Sequence, residues 1–125
     1  MHKSCLAGFI IDCRTEDIDA AARFWSEALG LPIRPQDPNE PDYRMLETGE
    51  NGLHIEVQKV DHESRVHLDI MTDDLEAEAA RLEKLGAKRV KFVKRWWVME
   101  APTGQRFCIV RPQTSNFDTV ANKWE

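Results

Sequence analysis

The sequence predicts an α+β fold of two tandem βαβββ modules whose strands form a curved mixed sheet. Three observations carry this. In each half an extended segment runs into an amphipathic helix that stops at Leu-Gly, first at Leu29-Gly30 and then at Leu85-Gly86. An Asp opens each helix the same distance upstream, Asp17 and Asp73. Further on, Gly52-Leu53-His54-Ile55-Glu56-Val57 lines up with Gly104-Gln105-Arg106-Phe107-Cys108-Ile109. A duplicated unit of roughly 50 residues generates a pseudo-two-fold axis, and a cleft on that axis would receive side chains from both copies.

The elements follow in order. Residues 6 to 13 are β-branched and aromatic enough for a strand. From Asp17 to Leu29, the residues Ile18, Ala21, Ala22, Trp25, Ala28 and Leu29 fall on one helical stripe. Gly30 is a natural stop, and Pro32, Pro35, Pro38 and Pro41 keep the following chain extended or looped. Tyr43 to Glu47 and Leu53 to Lys59 read as strands around a Gly49-Glu50-Asn51-Gly52 turn, and Asp61 to Ser64 as a polar linker. In the second copy Val66 to Met71 is a strand. Thr72 is placed to cap a helix whose first turn holds Asp73 and Asp74, with Leu75, Ala79, Leu82 and Leu85 on its buried stripe. Lys88 to Val93, Trp96 to Met99 and Arg106 to Val110 are the remaining strands. The tail after Pro112 is polar until Trp124, and is read as packing across a subunit interface or fraying.

At 125 residues the chain reads as a single domain over 1–125, with module one about 5–60, module two about 65–111 and a tail over 112–125. Hydrophobic residues make up 42% and charged residues 31%, a soluble balance without a disorder signature. A formal charge of −5 argues against nucleic acid or an anionic membrane as partner. The apolar run from Leu6 to Ile11 is too short for a signal core or a membrane span. Three cysteines, Cys5, Cys13 and Cys108, then imply a cytoplasmic protein with reduced thiols, and the first two read as small buried hydrophobes. His2 and His62 read as surface residues.

Strand parity separates two faces. Phe9, Ile11, Leu53, Ile55, Val57, Val66, Leu68, Ile70, Phe107 and Ile109 share one side and should back onto the helices. The other side collects Ile10, Asp12, His54, Glu56, Gln58, His67, Asp69, Arg106 and Cys108. A half-polar face is normal for a solvated sheet, but polar residues from both copies on a curved sheet would meet in one cavity. His67 is the group there that titrates near neutral pH, with Asp69 or Glu56 to orient it. Cys108 is a candidate thiol, and Arg106 and His54 are rim residues. Trp96 and Trp97 are adjacent and point to opposite faces of a strand, so one packs under the helix and the other offers an aromatic wall for a flat ligand.

The order and spacing of several short motifs resemble the vicinal oxygen chelate superfamily, the glyoxalase and bleomycin-resistance type of fold. They are Phe24-Trp25 with Ala28-Leu29-Gly30-Leu31, Val66-His67-Leu68-Asp69, Leu85-Gly86-Ala87, and Ala101-Pro102-Thr103-Gly104 before the last strand. The resemblance covers residues 6 to 111 and is nearest to small glyoxalase-like members. It implies a homodimer; a ferredoxin-like dimer is the competing fold, and the three strands after each helix favour the former.

Metal-using members of that superfamily place four ligands on the first and last strands of the modules, which here fall at Ile10, Glu56, His67 and Cys108. Glu56, His67 and Cys108 are acceptable zinc ligands, whereas Ile10 has no donor atom. The expectation is therefore a cleft binding a small organic molecule, with His67 and Glu56 as catalytic residues and Trp96, Trp97, Asp69, Cys108, Arg106 and His54 lining it. It is metal-independent, with no cofactor. One alternative is a lyase, isomerase or dioxygenase that holds zinc or a similar divalent metal on Glu56, His67 and Cys108. The other is a non-catalytic accessory or drug-sequestering domain. The substrate is not given by the residues.

Overall fold

Among the residues described by the computed structural model, 1–50 and 52–125, the elements run β1 (His2–Arg14), α1 (Ile18–Leu29), β2 (Tyr43–Leu46), β3 (His54–Val60) and β4 (Arg65–Thr72). The chain continues through α2 (Leu75–Lys84), β5 (Lys88–Val93), β6 (Trp96–Glu100), β7 (Arg106–Val110), α3 (Phe117–Val120) and β8 (Asn122–Trp124). The fold is α+β, as the repeat predicts. The chain divides into two compact units, Phe9–Val66 and Met1–Gly8 together with His67–Glu125, so β1 and β4 each contribute to both.

In the unit Phe9–Val66, the Asp17 carboxylate caps α1 by accepting from the Ala20 N–H at 3.1 Å. Gly30 ends it in the left-handed conformation, φ 70°, where a side chain would be strained. Ile18 and Ala22 bury against Val57, with Cys13, Ala21 and Trp25 packed around them. The expected stripe runs out at the last turn, where Ala28 and Leu29 are exposed. Strands β2 and β3 pair antiparallel, Met45 opposite Glu56. The strand that corresponds to β5 in the repeat is reduced to one bridge, Ile33 with Leu46. Four prolines between residues 32 and 41 remove the N–H donors a longer ladder needs. The expected turn at 49–52 includes Asn51, which lies outside the described residues.

In the other unit the strand order is β4-β7-β6-β5, with β7 parallel to β4 and β6 antiparallel to β7 and β5. Helix α2 covers one face, burying Ala79 and Leu82 on Met99 and Ile109, with Ile70, Trp97 and Phe107 packed alongside. The cap of α2 is Asp74, not Thr72: the Asp74 carboxylate accepts from the Ala77 N–H at 3.0 Å. The Thr72 hydroxyl instead donates to the Lys3 carbonyl at 2.8 Å, which ties the end of β4 to β1. With only ten residues, α2 leaves the start of β4 uncovered. Val66 and Leu68, expected under a helix, are 60% and 45% exposed.

Two further expectations are corrected here. His2 is buried, and its Nε2 lies 2.8 Å from Oε1 of Glu78, a fully buried residue of α2. The tail neither frays nor needs a second subunit to pack. Phe117 buries against Ala7 and Met71, β8 pairs with the start of β1, and the Trp124 indole N–H donates to Ser4 Oγ at 2.8 Å. The Arg81 guanidinium lies 3.9 Å over the Trp124 ring and donates twice to Glu78, each bond 2.8 Å. Burial alone would raise the Glu78 carboxyl, but hydrogen bonds from Arg81, His2 and Ser4 outweigh it and hold the group below the usual carboxylate range.

Candidate functional site

The face of β4, β7, β6 and β5 opposite α2 holds several of the candidate residues, and the strand registers lay it out as a grid. Asp69 on β4 stands directly beside Cys108 on β7, Cys108 beside Val98 on β6, and Val98 beside Lys91 on β5. Two residues away on β4, β7 and β6, His67, Arg106 and Glu100 begin a second row, which Lys88 completes on β5 across the register shift between Arg89 and Lys91. In the opposite direction come Met71, Val110, Trp96 and Val93.

This geometry brings three side chains together. The ligand-capable atoms of His67, Asp69 and Cys108 all lie within 4.8 Å of one another. His67 Nε2 is 3.5 Å from Asp69 Oδ1, too long for a hydrogen bond between an imidazole and a carboxylate. Asp69 is 8% exposed, and its Oδ1 is buried without a hydrogen-bond partner among the described residues. Leaving such an atom unsatisfied costs about 1–3 kcal/mol, so its persistence points to something the fold alone does not explain.

The remaining candidates have partners of their own. Arg106 donates to Glu100 at 3.1 Å, an in-row pair on partly exposed strands. Trp97 belongs to the helix face: its indole N–H donates to Glu76 Oε2 at 2.8 Å, and Arg89 lies 5.0 Å over the ring. Hydrogen bonds from Arg89 and then Trp97 lower the Glu76 carboxyl. Trp96 faces the same side as Cys108, beside Val93 at the end of the hairpin. His54 and Glu56 sit in the unit Phe9–Val66, where His54 Nε2 contacts Glu56 Oε1 directly.

Sequence reasoning named His67, Asp69 and Cys108, but missed that the tail walls one end of their face. Met71 and Val110, one strand repeat beyond Asp69 and Cys108, are covered by Phe117 together with Ala7. An isolated aromatic in a polar tail was the available signal.

The four-ligand metal site implied by the superfamily does not fit these residues. Ile10, at its first position, is aliphatic and 3% exposed. Glu56 is engaged by His54. A thiol at Cys108 is a poor partner for the oxygen- and nitrogen-rich octahedral metals.

Several solved structures share the fold. Methylmalonyl-CoA epimerase from Mycobacterium tuberculosis is 18% identical, with a TM-score of 0.60 over 86% of this chain and 87% of its own. The Mn(II)-bound glyoxalase from Novosphingobium aromaticivorans is 15% identical, with a TM-score of 0.61 over 92% of this chain but only 44% of its own. A glyoxalase/bleomycin resistance protein/dioxygenase superfamily member from Vibrio splendidus 12B01 is 14% identical, with a TM-score of 0.56 over 90% of this chain and all of its own. At these identities the likeness concerns the fold. No curated protein matches. The glyoxalase-like domain family model matches residues 8–110, and the chain belongs to that family.

Proposed function

We propose that this glyoxalase-like domain binds a small organic molecule on the face of β4, β7 and β6 opposite α2. His67, Asp69 and Cys108 form the reactive end, and Val98 and Trp96 form an apolar platform beside it. The observation that carries the reading is the convergence of His67, Asp69 and Cys108, with a buried Asp69 oxygen that has no hydrogen-bond partner among the described residues. In this reading His67 Nε2 takes or gives a proton on the ligand and Asp69 orients the ring, a contact that tightens when a ligand enters. The reaction belongs to the lyase, isomerase or dioxygenase types hosted by this scaffold, and the scaffold alone does not choose among them. No step is routed through the four-ligand metal site, which the residues do not complete.

The exposed Val66 and Leu68 on β4 support a homodimer as the working state. No disulfide joins the three cysteines among the described residues, which supports a reducing setting. No helix among the described residues is long and apolar enough to cross a membrane.

The test is a thermal-shift screen of small organic acids, ketones and planar aromatics against wild type, His67→Ala and Asp69→Asn. A compound that stabilises wild type and neither variant, with both variants folded by circular dichroism, supports the site. Stabilisation that survives in both variants moves the binding site off this face.

A further inference from the structure

We infer that the molecule bound on the face of β4, β7 and β6 is an organic anion, its acid group received by Lys91 on β5 and its apolar body laid over Val98 and Trp96. This rests on the proposed function and names the chemical class of ligand that the same site takes. The starting point is an irregularity in β5. Lys88 stands opposite Glu100 and Arg89 opposite Met99, but it is Lys91, not Val90, that stands opposite Val98. In a regular strand Lys88 and Lys91, three residues apart, would point to opposite faces. The register shift between Arg89 and Lys91 inserts one residue and returns Lys91 to the face that Val98 shares with Cys108. Without the bulge Val90 would complete that row, and Lys91 would lie on the α2 side.

Charge on this face then separates by row. In the row of His67, the Arg106 cation is paired with Glu100 at 3.1 Å, and Lys88 stands beside that pair. In the row of Asp69, Val98 holds the middle and Lys91 the end. A carboxylate and an ammonium group therefore close the two ends of an apolar strip. On the α2 side the remaining cation of β5, Arg89, is taken up by Glu76 and Glu83 at 2.9 and 3.0 Å. Lys91 is exposed, and its side chain makes no ion pair or hydrogen bond among the described residues. In a chain of formal charge −5, a cation re-aimed onto the ligand face without a carboxylate beside it favours a negative ligand there.

The strand spacing sets the size of the molecule. Neighbouring strands lie about 4.8 Å apart, so the backbones of Lys91 and Cys108 are about 10 Å from each other. The lysine stem can lean inward over apolar surface while its ammonium group stays solvated. A ligand joining the two ends then holds its acid group about 5–10 Å from the atom it presents to His67. Acetate is too short for this, whereas one or two aromatic rings carrying an acid group fit. Trp96, opposite Val93 at the end of the β5–β6 hairpin, borders the strip and suits the flank of such a ring.

The experiment titrates cinnamate and naphthoate, and the neutral primary amide of each, into full-length wild type, Lys91→Gln, Lys91→Arg and His67→Ala by calorimetry, with circular dichroism on every variant. The expected result is that each carboxylate binds wild type more tightly than its amide, and that added salt weakens the carboxylates alone. Lys91→Gln should lose about three- to fivefold in carboxylate affinity, the scale of a partly solvated ion pair, and nothing in amide affinity. Lys91→Arg should keep the wild-type values. Wild type that binds the amides as tightly as the acids, or binds neither, overturns the inference. Carboxylate affinity unchanged in Lys91→Gln also overturns it, and leaves the bulge and its lysine as protection of an edge strand. Acids and amides bound equally, and both lost in His67→Ala, remove the anion and leave the proposed function standing. Carboxylate binding that falls in Lys91→Gln but persists in His67→Ala keeps the lysine and overturns the proposed reactive end.

Discussion

Replacing Glu78 with Gln tests the buried network that fastens the two chain termini to α2. The carboxylate accepts two bonds from Arg81 at 2.8 Å and faces His2 Nε2 at 2.8 Å, inside a residue with no exposed surface. Hydrogen bonds to a charged group contribute about 1.5–3 kcal/mol each, and neutral ones about 0.5–1.5. Gln keeps the shape but turns charge-assisted bonds neutral and can accept through one oxygen only. Set against the smaller desolvation cost of an amide, the net loss at pH 7 is about 2 kcal/mol. For a chain of this length that is a fall in Tm of about 8 °C. The pH dependence has a definite sign. The folded Glu78 carboxyl is held below its ordinary value of 4.5, so its contribution is present above that value and is lost as pH falls through the lower, folded one. Urea unfolding of both proteins at pH 7, 5 and 3 should give a difference that is full at the first two and shrinks at the third. A difference that is absent at pH 7, or that stays constant to pH 3, would refute the network as described.

Trp124→Ala removes the ring under Arg81 and the donor to Ser4; about 2–3 kcal/mol of destabilisation is expected by urea titration, and none would mean that β8 frays in solution. Gly86→Ala places a methyl 3.0 Å from Pro102 Cγ at φ 107°, so about 1–3 kcal/mol is expected from backbone strain; an unchanged Tm would show that the turn relaxes. Burial pushes the Cys5 and Cys13 thiols up, which leaves little thiolate at pH 7. A small maleimide should therefore modify Cys108 before either, as read by peptide mass, and equal labelling of Cys108 and Cys13 would count against an accessible reactive face. Light scattering should give twice the chain mass, and Leu68→Glu should halve it; a monomeric wild type would leave the exposed β4 residues without a partner copy.

Most of the architecture was legible because it rests on local chemistry. The Asp17 cap, the Gly30 stop and the alternating strands around His67 and Cys108 are written within a few residues of where they act. What the sequence hid depends on contacts between distant residues. Nothing near His2 says that its imidazole meets Glu78, 76 positions away. Trp124 looks like a loose aromatic until Ser4 and Arg81 are placed around it. The cap of α2 was misread by two residues because Thr72, Asp73 and Asp74 are all competent caps, and the choice falls to the hydrogen bond that β1 draws from Thr72. Within the site, Asp69 was identified as facing the right way. Its pairing with Cys108 required the parallel register of β4 and β7, which no local pattern encodes.

The duplication makes the two copies directly comparable at the aligned strand positions. The repeat aligns His54 and Glu56 with Arg106 and Cys108, residues two apart on strand β3 or β7. In the first copy the pair closes on itself, His54 against Glu56, so the ring nitrogen and the carboxylate serve each other. In the second copy Arg106 is drawn to Glu100 on the neighbouring strand, and Cys108 lies with His67 and Asp69, their ligand-capable atoms within 4.8 Å of one another. Arginine and cysteine at these two positions therefore replace a mutually bonded pair with one group drawn to Glu100 and one set beside His67 and Asp69. The consequence is directional. Glu56→Gln should weaken its contact with His54, a part-buried pair of modest worth. Grafting Cys108→Glu with Arg106→His should restore the closed pair and silence the site while the fold persists. If that double variant keeps wild-type ligand affinity, the asymmetry between the copies does not carry the function.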